Sequence, residues 1–186
     1  AGAAATGTMP DEAWRAKAPA AGKASKLVLP VPTHFQMPNG LHVYLLEQHA
    51  LPVFAANLVV LAGSDTNPAN RPGLAAFTAD MLDEGTASRS SAEFASQLEQ
   101  IGARLSVSAS RDYSSVVLGA SKAHLVAGMG LLADAILNPA FSEKEIERVR
   151  KTRLGELEEE KSDSESVANR VLSLVLNGAA SSYGYP

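Results

Sequence analysis

Two kinds of hydrophobic spacing divide this chain, and their order limits the folds that it can adopt. Short stretches with strand character fall mainly in its first two thirds, at 34–37, 41–46, 53–61, 103–110 and 115–120. Apolar residues three or four apart, the spacing of an amphipathic helix, occur at 71–85, 90–101, 124–137, 143–161 and 164–176. Because strands that can pair as hairpins are combined with separate helices, we predict an α+β fold with two layers: helices packed on a mainly antiparallel sheet.

Local signals refine several of these elements. Pro38-Asn39-Gly40 predicts a hairpin turn, because Asn-Gly supplies the positive φ angles that such turns need. The run Val53–Leu61 is almost entirely apolar, which predicts a strand covered on both faces. Ser91 is the predicted cap of the helix that Gly102 ends. The predicted inward-facing residues of the later helices are Phe94, Leu98, Ile101, then Leu125, Met129, Leu132, Ile136, then Ile146, Val149 and Leu157.

Composition excludes several classes of protein. The 186 residues suffice for one domain with a sizeable core. A net charge of −4 gives no support for binding to nucleic acid. The chain has no cysteine, which excludes disulfides and thiol chemistry, and no apolar run reaches the ~18 residues of a membrane span.

The first 32 residues differ from the rest. They are rich in Ala, Pro, Gly and Lys, which indicates a linker or extended arm with Trp14 as its only large aromatic residue, and they precede a single predicted domain at 33–186. Since the chain begins without methionine, we expect a processed or excised piece, trimmed by a signal peptidase or cut from a longer protein. A periplasmic or otherwise exported location is the expectation, and the cytoplasm is the alternative.

The stretch Arg71–Thr86 is the most informative part of the chain. Asn70 or Arg71 is its predicted N-cap, Pro72 fits the first helical turn, and Gly85 is the predicted stop. One face carries the apolar residues Leu74, Phe77, Met81 and Leu82. The adjacent face carries Ala76, Ala79 and Asp80.

This stretch resembles the active-site helix of the insulinase/pitrilysin family of zinc metallopeptidases, which includes the mitochondrial processing peptidases. The resemblance lies in Gly73-Leu74-Ala75, Met81-Leu82 and Gly85-Thr86. The family's helix contains H-x-x-E-H, in which two histidines bind Zn²⁺ and the glutamate activates the metal-bound water. The corresponding residues here are Ala76, Ala79 and Asp80, and an alanine methyl group can neither bind a metal nor accept a proton.

Other segments extend the resemblance over about residues 29–186. The predicted hairpin 35–44, Leu51-Pro52-Val53, the start of the charged helix at 141–148 and the segment 182–186 are similar to family motifs. On the charged helix, the resemblance places Glu156 at the third zinc ligand and Val149 at a supporting glutamate. One functional position of five is therefore kept, which implies a vestigial, metal-free site; the alternatives are misregister or an unusual metal site of Asp80 with Glu156.

The resemblance implies a function without catalysis. In this family, two similar halves close around an unfolded peptide, and one half carries zinc. The chain would be the first domain of an inactive half, binding no cofactor itself and presenting a sheet edge to an extended peptide substrate. The active zinc-bearing partner would be a separate chain or a fused N-terminal half. The alternatives are a structural assembly subunit with no proteolytic partner and, less favoured, an enzyme with a relocated metal site.

Several other residues have ordinary interpretations. His34, His42, His49 and His124 lack the i, i+4 spacing of metal ligands and are predicted to lie at or near the surface. Glu156 lies in a charge run, which is typical of a solvated helix face. Asp83 and Glu84 lie at a predicted helix C-terminus, where the dipole disfavours anions, so they mark either a simple surface or an interface with a basic partner.

Overall fold

The computed structural model describes residues 22, 28–179 and 181–184. Most of the predicted arm, including Trp14, therefore lies outside the described residues. The described residues divide into two units, a first unit up to Gln48 and a second unit from His49 onward. Within the described residues, no helix is both long and apolar enough to cross a membrane.

The first unit contains a β-hairpin, as predicted. Strands β1 (Thr33–Gln36) and β2 (His42–Leu45) pair antiparallel, with His34 opposite Tyr44 and Gln36 opposite His42. Gly40 adopts φ 89°, a conformation that favours glycine. Its backbone N–H donates to the Met37 carbonyl at 2.9 Å, which closes the turn.

The second unit is an α+β domain, which confirms the predicted fold class. Its strands are β3 (Val53–Val60), β4 (Gly85–Thr86), β5 (Arg89–Ser90), β6 (Arg104–Ala109) and β7 (Ser114–Ser121). Its helices are α1 (Leu74–Met81), α2 (Ser91–Gln100), α3 (Leu125–Leu137), α4 (Glu143–Glu160) and α5 (Ser164–Asn177). The main sheet has the order β3-β7-β6 with antiparallel neighbours, and β4 and β5 form a small separate ladder.

The core lies on one face of the main sheet. Val116 and Leu118 of β7 pack with Leu132 of α3, and half-buried residues of β3 and β6 surround them. The prediction that β3 is covered on both faces is wrong, because Val53 and Val59 are 59% and 47% exposed. An apolar run does not reveal that only alternate side chains point to the helices.

Helix α1 is shorter than the sequence predicts. It begins after Gly73, which has φ 83°, and the Asn67 side chain accepts a hydrogen bond from the Ala75 N–H at 2.9 Å. This loop residue therefore satisfies an N-terminal donor, and the predicted caps Asn70 and Arg71 lie outside the helix. The predicted stop, Gly85, belongs to β4.

The predicted cap of α2 and the predicted buried face of α3 also require correction. Ser90, not Ser91, caps α2, and it forms a reciprocal capping box with Glu93. The predicted α2 face is confirmed in that Phe94 is fully buried and Leu98 and Ile101 pack beside it. The predicted face of α3 is wrong in part: Leu132 is buried as predicted, but Leu125 and Met129 are exposed, and the other buried residues of the helix are Gly128, Leu131 and Ala135.

The charged helix α4 and its successor follow the predicted pattern. Val149 is the buried residue of the α4 seam, and Ile146 and Leu157 are half-buried. The Asp163 side chain caps α5 by accepting from the Ser166 N–H at 2.9 Å. Gly178, with φ 77°, ends α5 as predicted.

Candidate functional site

A cleft of about 270 Å³ lies where α1 and its following turn face α4 and the middle of β6. Its walls combine carboxylates, guanidinium groups and small apolar side chains. The lining residues are Ala79, Asp80, Asp83, Glu84, Val107, Arg148, Val149, Thr152, Arg153 and Glu156.

Four of the five positions singled out from the sequence meet in this cleft. Ala79 and Asp80 come from α1, and Val149 and Glu156 come from α4. The fifth, Ala76, is half-buried on α1 but is not among the residues that line the cleft. The two helices that carry the predicted positions therefore do face each other.

Arg153 lies beside the two carboxylates that the sequence analysis considered for an unusual metal site. Its Nη1 atom lies 3.1 Å from Glu156 Oε2, and its Nε atom lies 4.0 Å from Asp80 Oδ2. The guanidinium group thus supplies a positive charge between α1 and α4. These side chains are between 38% and 50% exposed, so each ion pair contributes little to stability, about 0–1 kcal/mol.

A second arginine connects the start of α4 to the turn after α1. Arg148 forms ion pairs with Glu84 and Glu145, and Glu84 also accepts a hydrogen bond from Ser91 Oγ at 2.9 Å. Hydrogen bonds to Glu84 and then Glu145 raise the pKa of Arg148, so its charge is permanent. The basic partner of Glu84 is therefore within the chain itself.

Asp83 is in a different electrostatic environment from Glu84. Asp83 is exposed on one side, but the surrounding protein displaces part of the hydration shell of its carboxyl group. This desolvation raises the pKa of the carboxyl group. A backbone hydrogen bond and the charge of Arg148 oppose this rise, and the charges of Glu84 and Asp80 add to it. The ionised form of Asp83 is therefore less favourable in the folded chain than in water.

The donors in this cleft do not fit a zinc site. The two α1 positions to which the resemblance assigns a histidine and a general base carry methyl groups, Ala76 and Ala79. Two of the carboxylates in the cleft, Asp80 and Glu156, both lie near Arg153, whose cation would repel a metal ion. Among residues 28–179 and 181–184, no three His, Asp or Glu side chains are grouped so that they could hold a metal ion.

Sequence reasoning missed Arg148 and Arg153 as parts of the cleft. Each has a carboxylate three residues away on α4, Glu145 and Glu156, and such spacing indicates an ordinary surface pair. The unfavourable acidic pair after α1 was a usable signal for Arg148, because anions at a helix C-terminus require compensation from elsewhere. No comparable signal pointed to Arg153.

One sheet edge reaches the cleft. In the described part of the chain, β6 pairs only with β7, and Val107 from the middle of β6 lines the cleft. Backbone groups on the other side of an edge strand are available to a further strand. The arrangement therefore places a strand edge next to the α1–α4 cleft.

Comparison with known proteins establishes the family. The family model described as Insulinase (Peptidase family M16) matches residues 43–182, and this chain belongs to that family. The chain is 32% identical over 146 residues to the mitochondrial-processing peptidase subunit beta of Bos taurus, covering 77% of this chain and 30% of the relative. It is 29% identical over 126 residues to the non-peptidase homolog YmxG of Helicobacter pylori, covering 68% of this chain and 29% of the relative.

A solved structure agrees with this assignment. The crystal structure of a peptidase M16 inactive domain from Pseudomonas fluorescens superimposes with a TM-score of 0.79 at 25% identity, covering 83% of this chain and 38% of that one. This chain therefore covers between 29% and 38% of the length of these three proteins.

Proposed function

We propose that this chain is a non-catalytic insulinase-type domain that supports proteolysis by an active half or subunit. It does so by binding the substrate and by forming part of the chamber around it. The observation that carries the proposal is the lining of the α1–α4 cleft, which includes Ala79, Val149 and Arg153. None of these three side chains can act as the ligand or the base that metal chemistry would require.

Loss of the metal would remove catalysis from this chain. Peptide hydrolysis of this type needs a metal-bound water and a carboxylate that takes its proton. By the resemblance, Glu156 is the one ligand position that keeps the family's residue, and it accepts a hydrogen bond from Arg153 at 3.1 Å. We therefore propose that the chain has no catalytic cofactor and that the catalytic zinc resides in the active partner.

The substrate proposed for this domain is an extended peptide that pairs with β6. The outer edge of β6 is unpaired among the described strands, and its exposed residues Arg104, Ser106 and Ser108 leave the strand accessible. Addition of a peptide strand to such an edge supplies backbone hydrogen bonds that do not depend on the peptide's sequence. The cleft beside Val107 would then accept a side chain of the bound peptide.

The proposed partner is a zinc-bearing half, either a separate subunit or part of the same polypeptide. Two comparisons support this proposal: one relative is named as a subunit of a processing peptidase, and one solved structure is described as an inactive domain. This chain covers only 30% and 38% of the length of these two proteins, so most of their length corresponds to parts other than the domain described here.

Hydrogen exchange with a mixture of unstructured peptides tests the proposal. We expect the peptides to remain intact by mass spectrometry and the amides of Arg104–Ala109 to become more protected. Strand β3, at the opposite edge of the sheet, is the internal control and should change less. Cleavage of the peptides by the pure chain, or unchanged exchange in β6, would overturn the proposal.

A structural assembly subunit is the second candidate. The relative named as a non-peptidase homolog favours it, because that name carries no proteolytic role. Isolation of the chain at native abundance distinguishes the two functions. A bound chain that contains H-x-x-E-H supports the peptidase complex, whereas a stable complex without such a chain supports the structural role.

A further inference from the structure

One face of the β1–β2 hairpin carries two histidines in direct contact. His34 and Gln36 are two residues apart on β1 and therefore point to the same side of the strand. Their cross-strand partners, Tyr44 and His42, share that side. All four side chains thus form a polar and aromatic patch on an exposed surface within the first unit.

The two imidazole rings face each other through nitrogen atoms. His34 Nε2 lies 3.1 Å from His42 Nδ1, and the ring planes differ by only 3°. The Tyr44 ring covers His34 with centroids 4.6 Å apart, which limits the orientations of that imidazole. Two nitrogen donors are therefore held close together before any ligand arrives.

We propose that His34 and His42 form a two-ligand site for a divalent transition-metal ion such as Ni²⁺, Cu²⁺ or Zn²⁺. Imidazole nitrogen is a preferred ligand of these ions. With metal–nitrogen bonds of about 2.0–2.1 Å, two ligands on one ion lie roughly 3–3.4 Å apart, so the observed separation needs little adjustment. Water completes the coordination, because the patch is exposed.

Metal binding requires one change of tautomer. The present contact between the rings is a hydrogen bond, so one of the two facing nitrogens carries a proton. On binding, each neutral ring keeps its proton on the outer nitrogen, Nδ1 of His34 and Nε2 of His42. Gln36 Nε2 lies 3.5 Å from His42 Nε2 and donates to the Gly40 carbonyl at 3.2 Å, so the outer proton of His42 is donated to solvent at this exposed surface.

The ion would connect the two strands of the hairpin. Its ligands come from β1 and from β2, and no residue of the α1–α4 cleft takes part. An ion that binds only the paired strands stabilises the hairpin by an amount that rises with the logarithm of its concentration once that concentration exceeds the dissociation constant. The proposal is therefore independent of the proposed non-catalytic role.

Calorimetric titration of the full chain with Ni²⁺ tests the site. We expect one ion per chain for the wild type, loss of this binding in His34→Ala and in His42→Ala, and retention in His124→Ala. His124, in the turn Lys122–His124 of the second unit, is the matched control. Circular dichroism of each variant verifies that the domain is folded.

Solution NMR gives an independent readout. Addition of Zn²⁺ should shift the ring resonances of His34 and His42 together and leave those of His124 unchanged. Failure of the wild type to bind Ni²⁺ saturably would overturn the proposal. So would Ni²⁺ binding that both hairpin variants retain.

Discussion

At the scale of single residues, the cleft contains one carboxylate that destabilises the fold when ionised. Desolvation raises the pKa of Asp83 in the folded chain, so its ionisation at neutral pH costs stability. This cost is present above the raised pKa and disappears as the pH falls below the ordinary value of 3.8. We expect Asp83→Asn to increase the free energy of unfolding slightly at pH 7, with a gain that shrinks in acid.

Asp163 provides the matched control for this prediction. Hydrogen bonds from Ser166 lower the pKa of this α5 cap, so its contribution is present at neutral pH and is lost as the pH falls through the lowered pKa. Asp163→Ala should therefore destabilise the chain at pH 7. Urea unfolding of both variants between pH 3 and pH 7 measures how each substitution changes the free energy of unfolding. A change of the same sign at pH 7 in both variants would contradict the opposite pKa shifts of Asp83 and Asp163.

Single residues also show what the sequence could predict about the cleft. Once the family frame is recognised, the chemistry of Ala76 and Ala79 is enough to predict that one zinc ligand and the general base are missing. Arg153 could not be assigned in the same way, because its contact with Asp80 joins two helices that are far apart in the chain, α1 and α4. Charge spacing along one helix gives no information about charges on another.

At the scale of elements, two glycines of α3 test how closely this helix packs on the sheet. A methyl group added at Gly128 would lie 3.2 Å from Phe54 Cζ and 3.3 Å from Leu118 Cδ2, whereas nothing lies within 4 Å at Gly130. Gly130→Ala should stabilise the chain by up to about 1 kcal/mol through helix propensity. Gly128→Ala should lose this gain, because the added methyl group crowds the core and lowers the free energy of unfolding by about 1 kcal/mol or more.

Thermal unfolding of the two glycine variants checks this prediction. The pair is matched because both positions lie within the same helix, two residues apart. An equal gain from both substitutions would show that α3 does not approach β7 as closely as the structure indicates. A lower melting temperature for Gly130→Ala would contradict the exposed placement of that position.

The same helix explains why one predicted face was wrong. Nearly every residue of α3 is apolar, so the spacing of its large side chains does not single out one inward face. The close approach at Gly128 decides the rotation of the helix and leaves Met129 exposed. In α2, by contrast, polar residues separate the apolar ones, and the predicted face around Phe94 is confirmed.

At the scale of the whole molecule, the α+β architecture followed from periodicity, and the family followed from short motifs. The sequence could not show which face of β3 is covered, since an apolar strand such as Val53–Val60 is compatible with one or two covering layers. Nor could it show that Val107 brings the β6 edge to the cleft, because that contact depends on how α1 and α4 pack beside the sheet. These contacts between layers are what the structure adds.

The most direct test of the non-catalytic proposal is the zinc content of the full chain after exposure to Zn²⁺ and removal of free ions. All three proteins carry His34→Ala, so that the proposed hairpin site does not contribute. One has no further change, one adds Glu156→Gln, and the control adds Glu158→Gln on the exposed side of α4. We predict the same substoichiometric zinc content in all three proteins and no peptide cleavage. One zinc ion per chain that is lost with Glu156→Gln but kept with Glu158→Gln would contradict the proposal.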